Sequence, residues 1–358
     1  MKLLETYQLG PFMLRNRVVM APMTRNRVTP EGLAGALAAE YYHQRATMGL
    51  LVSEAIAISA DAIGYPMIPG IYNKVQVESW RGITDRVHEA GGLIFAQLWH
   101  SGRAGHSSAK DGGVMVAPSA IAIRGQQIFT KTGLKDFEVP RALTTAEVGA
   151  IIRDYQDAAE RAMEAGFDGI ELNAANGYLP NQFLADGVNT RDDEYGGGVE
   201  NRCRFILEAM DAMVQVCGPG RVGIKLSPST DRYDITESNP LALYGYLVGA
   251  LNPLPLAYLH FMQPLSTVDA AYWPKDVISA FGGLTVHTVI ANGGYNQQRA
   301  EQEVESGRAQ LVSFGALALA NPDLPARFAA GAPLNTPDAS TFYGGNEHGY
   351  TDYPFWKK

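Results

Sequence analysis

Two asparagines and a tyrosine crowd the end of one short apolar run: Asn173, Asn176 and Tyr178 follow Asp168-Gly-Ile-Glu-Leu172. Carboxamide N–H groups donate to a carbonyl oxygen that gains negative charge, and a phenol can hand over a proton once that charge has formed. The trio suits a carbonyl substrate that is first polarised and then protonated on carbon. Asn-Gly is also a turn signal, and asparagine side chains commonly satisfy loop backbone. Whether chemistry or turn formation explains these residues depends on the elements that carry them.

The run itself reads as a strand entered from a helix through Ala165, Gly166 and Phe167. Its polar residues fall where strand gives way to loop. The same pattern recurs along the chain, with strands predicted at 17–22, 49–55, 93–100, 168–172, 221–228, 257–262, 284–292 and 310–314. Helices are predicted at 34–48, 76–89, 144–165, 199–216, 240–251 and 296–306, with a weak one near Ser279 and a short one from Pro322. Thr144 and Glu147 form a capping-box signature at the start of the third helix.

Strands that are apolar along their whole length and alternate with helices require a parallel sheet covered on both faces. Eight of them favour closure. The expected fold is α/β, a single (β/α)8 TIM barrel spanning 1–358, with its catalytic face at the C-terminal ends of the strands. Residues 101–144 interrupt the rhythm after the third strand and read as an inserted lid, with hairpin strands expected around 114–118 and 120–123. No Gly-x-Gly-x-x-Gly follows a strand, so a Rossmann dinucleotide site has no support.

Composition narrows the partners. The 358 residues are 46% hydrophobic, enough for a sizeable core, and a net charge of −8 with scattered basic residues argues against nucleic acid and anionic membrane as partners. The two cysteines, Cys203 and Cys217, share one predicted helix and its end, which supplies neither a disulfide framework nor a zinc spacing. No metal is expected. Without an apolar run of about twenty residues or a signal-like start, the expected location is cytoplasmic.

By the barrel rule, the strand ends to inspect carry Pro22 and Thr24, Ala55, Gln97 with Trp99 and His100, the Asn173 to Tyr178 stretch, Lys225, Asn292-Gly-Gly294, and Gly315-Ala316. Gly293 and Gly294 precede one helix and Gly315 another, so the last two units offer backbone N–H groups where barrels bind phosphate.

With these positions in hand, the chain resembles the old yellow enzyme family of FMN-dependent ene-reductases, almost end to end. The resemblance rests on Val19-Met-Ala-Pro-Met-Thr-Arg25, Ser53-Glu-Ala55, Gln97-Leu-Trp-His100, Ala165-Gly-Phe-Asp-Gly169, Asn176-Gly-Tyr178 and Gln182-Phe-Leu184. It continues through Tyr195-Gly-Gly197, Glu200-Asn-Arg202, Ala291-Asn-Gly-Gly294, Ala320-Asn-Pro-Asp-Leu324 and Gly349-Tyr-Thr-Asp-Tyr-Pro354.

The resemblance implies non-covalent FMN at the barrel mouth, NADPH or NADH as donor, an activated alkene as acceptor, and a monomer or homodimer. Pro22, Met23, Thr24, Ala55, Gln97 and Lys225 would touch the flavin, while Gly294, Gly315 and Ala316 would supply backbone donors to its phosphate. Tyr65, Trp99 and Tyr350 would line the substrate side. Asn173 and Asn176 would hold the substrate carbonyl, and Tyr178 would protonate the α-carbon. His100 would support the strand end rather than react.

Three positions depart from the family pattern. Asn173 stands where the family usually has His, Lys225 replaces a flavin-contacting Arg, and Ala316 replaces an Arg that pairs with the phosphate. The first leaves only neutral dipoles for an oxyanion, and the second keeps charge but loses the planar fork. The third removes a charge-assisted hydrogen bond. These departures raise two alternatives to an ene-reductase: an isomerase or cyclase with weak or no FMN binding, and a non-catalytic small-molecule binder.

Overall fold

The computed structural model describes residues 1–110, 113–264 and 273–357. Residues 111–112 of the expected lid lie outside the described residues. Eight parallel strands close into a barrel: β1 (Val18–Met20), β2 (Leu50–Ala57), β3 (Ile94–Trp99), β4 (Gly169–Ala174), β5 (Val222–Leu226), β6 (Tyr258–Met262), β7 (Thr288–Asn292) and β8 (Leu311–Phe314), with β8 pairing back to β1. Helices pack outside it, among them α1 (Ala36–Gln44), α2 (Lys74–Glu89), α3 (Thr145–Glu164), α4 (Val199–Cys217) and α5 (Pro240–Leu251). This is the expected (β/α)8 barrel. The capping box at α3 is present, Thr144 Oγ1 accepting from the Glu147 N–H and the Glu147 carboxylate from the Thr144 N–H.

The barrel interior is built in layers, and their chemistry changes along the strands. At the N-terminal end, Phe95 and Tyr258 stack with ring centroids 5.9 Å apart among Val19, Leu50, Val52, Ile290 and Leu311. Two glycines make room for them: a Cβ on Gly169 would lie 2.5 Å from the Phe95 ring, and one on Gly223 would lie 2.3 Å from the Tyr258 ring. Large rings from β3 and β6 thus fill the space that β4 and β5 leave empty. Because side chains alternate with a period of two, the next inward positions on those strands are Gln97, Glu171, Lys225 and His260. The layer facing the catalytic end is therefore polar.

An N-terminal hairpin absent from the sequence reading, Tyr7–Leu9 with Phe12–Leu14, closes the apolar end by adding Leu9 and Leu14 to that cluster. Its signal was the Gly10-Pro11 turn between alternating apolar residues; Gly10 has φ 52° and Gly220 presses against it.

Two other expectations need correction. The strand expected at 284–292 begins only at Thr288, because Gly282–Leu284 forms a 3-10 turn held by Asn252, which donates to the Leu284 carbonyl and accepts from the Val286 N–H. In the inserted segment the hairpin pairs Gln127–Thr130 with Gly133–Asp136, and Val116–Ala117 pairs in parallel with Arg141–Ala142. No strand forms at 120–123. The two-residue Lys131-Thr132 turn, with Gly133 at φ 105°, permits the hairpin; Ala120 to Ile123 has no such turn beside it.

A direct check on the interior packing is Gly223→Ala, whose methyl group collides with the Tyr258 ring. Overpacking of this kind costs about 1–3 kcal/mol, which a lowered denaturant midpoint would report; an unchanged midpoint would remove this contact from the account of the core.

Candidate active site

A cavity of about 1040 Å³ opens at the C-terminal end of the barrel. Its wall includes Pro22, Met23 and Thr24 after β1, Ala55 on β2, Gln97 on β3, Asn173, Asn176 and Tyr178 on and after β4, and Lys225 on β5. Gly293 and Gly294 after β7, with Gly315 and Ala316 after β8, complete one end. Tyr65, Ile128, Phe129 and Phe137 border the other side, so the inserted hairpin reaches the cavity mouth.

Local irregularity aims several of these groups. Between Val52 and Ala55 the β2–β3 register slips by one residue, a bulge that turns Ala55 toward the cavity. The ladder is repaired by Ser53 Oγ, which accepts from the Gln97 N–H at 3.0 Å. Beyond β4, Asn176 adopts φ 56°, a left-handed turn anchored by its own N–H donating to Ser227 Oγ at 2.7 Å. That turn leaves the Asn176 amide half-buried in the cavity wall and brings Tyr178 to the same wall two residues later.

Under the cavity floor runs a buried hydrogen-bond chain. Asn173 Nδ2 donates to Gln97 Oε1 at 3.1 Å, and Gln97 Nε2 donates to Glu171 Oε1 at 2.7 Å. Glu171 Oε2 pairs with His260 Nδ1 at 2.7 Å, and His260 Nε2 meets Ser313 Oγ at 2.7 Å. Asn292 Nδ2 donates to the same Ser313 Oγ.

Burial drives the His260 imidazole below its ordinary value, outweighing the attraction of Glu171. Burial also works against ionisation of Glu171, but the neighbouring His260, Lys225 and Gln97 overcome it and hold the carboxyl below its usual range. A carboxylate accepting from a neutral imidazole N–H satisfies both directions. Lys225 is buried, and desolvation lowers its ammonium pKa against the pull of Glu171. Because Glu171 already accepts from Gln97 and His260, Lys225 serves it as a counter-charge while its ammonium lines the cavity.

Two residues expected to line the substrate side lie elsewhere. Tyr350 is completely buried, stacked on Tyr41 at 4.3 Å with the Arg25 guanidinium 4.7 Å from its ring, and it fastens the C-terminal segment to α1. It is absent from the cavity wall because Arg25, by donating to the carbonyls of Phe342 and Gly349, draws that segment down over itself. Trp99 is also buried; its ring supports Tyr178 at 5.3 Å and Tyr65 at 5.5 Å from behind. His100 sits at the strand end, its Nδ1 accepting from the Gly102 N–H, and burial keeps its imidazole well below the ordinary value.

Other wall residues escaped the sequence reading: Arg232 and Tyr233 after β5, Met262 on β6, and the hairpin side chains. The first two follow a barrel strand and were within reach of the strand-end rule; the hairpin residues were not.

The closed barrel with a large cavity at its C-terminal end defines a TIM-barrel enzyme site, and its glycine-lined wall suits a phosphorylated cofactor. The model of the NADH:flavin oxidoreductase / NADH oxidase family matches residues 2–335, and the chain belongs to this family, the old yellow enzyme family. It is 44% identical over 357 residues to putative 12-oxophytodienoate reductase 3 of Oryza sativa subsp. japonica, covering 99% of this chain and 92% of that protein. To a probable flavin mononucleotide-dependent alkene reductase of Leishmania infantum it is 41% identical over 358 residues, covering 99% and 97%. Among solved structures, morphinone reductase superposes with a TM-score of 0.95 at 46% identity over 99% of this chain and 96% of that one. The old yellow enzyme homologue from Zymomonas mobilis gives 0.94 at 39% identity, covering 99% of both chains.

The protein is an NAD(P)H-dependent flavin oxidoreductase with FMN as its cofactor. The residues present fit that group: the cavity is large enough for a tricyclic ring with a phosphorylated tail, and Gln97, Thr24 and Lys225 border one part of it. Gly293 and Gly294, with φ of 100° and 69°, line the same cavity and put backbone there without a side chain. Among the described residues no helix is long and apolar enough to cross a membrane, and no group of His, Cys, Asp or Glu is placed to hold a metal ion.

The position of Tyr350 makes a prediction. Tyr350→Phe removes a hydroxyl that has no hydrogen-bond partner among the described residues and leaves substrate KM unchanged, whereas Tyr350→Ala lowers stability by about 3–5 kcal/mol in a denaturant titration. A raised KM in the Phe variant would return Tyr350 to the substrate side.

Proposed function

We propose that the protein reduces the C=C bond of α,β-unsaturated carbonyl or nitro compounds, with Tyr178 as proton donor. The observation that carries this reading is the convergence of Asn173, Asn176 and Tyr178 on the same cavity as Thr24, Gln97 and Lys225. FMN, when bound, supplies the hydride that NADPH or NADH has delivered to it.

The chain's own residues do the rest. The Asn176 amide and the Asn173 N–H not given to Gln97 donate to the acceptor oxygen and draw electron density from the β-carbon. Burial raises the Tyr178 phenol above its ordinary value, so it carries its proton at neutral pH. Deep in the cavity wall, it can transfer that proton to the α-carbon.

The three departures shape this chemistry. With an asparagine pair, oxyanion stabilisation comes from neutral dipoles alone, and Asn173 is further tethered to the floor by Gln97. Lys225 keeps a positive charge at the cavity. Ala316 presents only backbone and a methyl group at the glycine-lined end. The isomerase or cyclase alternative is set aside, because the chain is a flavin oxidoreductase with FMN as its cofactor; Ala316 bears on how tightly FMN is held.

Anaerobic NADPH should bleach the flavin absorbance, and cyclohexenone should restore it; FMN-loaded protein that stays oxidised under NADPH would overturn the proposal. Asn173→Ala should raise KM and lower kcat together with FMN still bound, and unchanged kinetics would take it out of the site. Tyr178→Phe should slow reoxidation by cyclohexenone by roughly 10²–10⁴-fold. Ala316→Arg restores a charge-assisted bond of about 1.5–3 kcal/mol and should tighten FMN binding by roughly one to two orders of magnitude in a fluorescence-quenching titration. Unchanged affinity would show that this position does not reach the phosphate.

A further inference from the structure

Tyr178 does not stand alone. Its hydroxyl accepts from the Tyr65 hydroxyl at 3.2 Å, and Tyr65 in turn lies 3.0 Å from the hydroxyl of Tyr233. A phenol has a single proton to donate. Since Tyr65 gives its proton to Tyr178, Tyr233 must be the donor to Tyr65, and all three hydroxyls point their protons the same way. The last, on Tyr178, is left free for the cavity.

The far end of this chain reaches outward. Tyr178 is buried in the wall, whereas Tyr233, on the wall of the same cavity, is half-buried and its neighbour Arg232 at the rim is exposed. The Arg232 guanidinium lies over the Tyr233 ring at 5.1 Å and, among the described residues, forms no ion pair with a carboxylate. Its charge favours the phenolate form of Tyr178.

Tyr233 is held in this place against backbone preference. Tyr233 and Asp234 both adopt left-handed φ, 57° and 56°, which non-glycine residues seldom do twice in succession. Arg103 Nη2 donates to both of their carbonyls at 2.9 Å, and Gly177 lets the loop approach: a Cβ there would lie 2.6 Å from the Arg232 carbonyl. The inserted segment thus braces the strained turn through Arg103, while the turn after Asn176 supplies the space.

We propose that Tyr233 and Tyr65 form a proton relay that reloads Tyr178 from solvent while substrate covers the cavity side. The relay rests on Tyr178 being the proton donor. As the Tyr178 O–H bond breaks and a C–H bond forms at the α-carbon, the Tyr65 proton passes to Tyr178, the Tyr233 proton to Tyr65, and a water proton to Tyr233. One proton leaves solvent per alkene reduced, and no electrons move along the chain. Tyr65 and Tyr233 are positioning residues that act through Tyr178.

The test is the reoxidation of NADPH-reduced holoenzyme by saturating cyclohexenone, followed by stopped flow in mixtures of H2O and D2O. The native enzyme should show a curved dependence of rate on deuterium fraction, because several protons move together. Tyr233→Phe keeps the ring but removes the hydroxyl; it should reduce the limiting rate about tenfold and make the dependence linear. Tyr65→Phe should behave in the same way, and the flavin absorbance of each variant reports that it is folded and loaded. An unchanged limiting rate and an unchanged curve in both variants would overturn the relay. If Tyr178→Phe itself reoxidises at the native rate, the proton-donor reading falls and the relay with it.

Discussion

A carboxylate sealed inside the barrel organises everything around it. Glu171 is wholly buried, and its charge is tolerable only because Gln97 and His260 donate to its two oxygens and Lys225 balances it. Each partner comes from a different strand, so satisfying Glu171 fixes β3, β4, β5 and β6 relative to one another. Two of these partners, Gln97 and Lys225, also line the cavity. Gln97 is oriented by Glu171 and in turn orients Asn173, which couples the floor to the residue proposed to hold substrate.

This polar layer stands on an apolar one. Phe95 and Tyr258 fit against Gly169 and Gly223, two residues before the polar positions on each strand. Stability and function therefore occupy opposite ends of the same strands, as parallel barrels generally arrange them. The N-terminal hairpin seals the apolar end, and the inserted hairpin approaches the polar one.

Charge is distributed unevenly around the cavity. Lys225 at the cavity wall feels the charge of Glu171, and Ala316 carries none. A further guanidinium, Arg232, comes instead from the loop after β5, beside the phenols. Positive charge is thus offered near the proposed proton donor as its O–H bond breaks, while residue 173 is itself neutral and has Lys225 beside it on the neighbouring strand.

Much of this was legible in the chain. Continuous apolar strands alternating with helices leave a parallel barrel as the solution, and a barrel puts Thr24, Gln97, Asn173, Asn176, Tyr178 and Lys225 at one end, because each follows or ends a strand. The short-range signals, such as the Thr144 and Glu147 cap, were equally readable. What depends on contacts distant in sequence was not. Tyr350 is stacked on Tyr41 by Arg25, more than three hundred residues away from it, so its family motif could not say that it faces inward. The Tyr65, Tyr178 and Tyr233 chain joins three separate loops across 168 residues, and its direction depends on which hydroxyl donates to which. Periodicity and turn chemistry are properties of neighbouring residues and survive in one dimension; hydrogen-bond partners and stacking exist only once the barrel has closed.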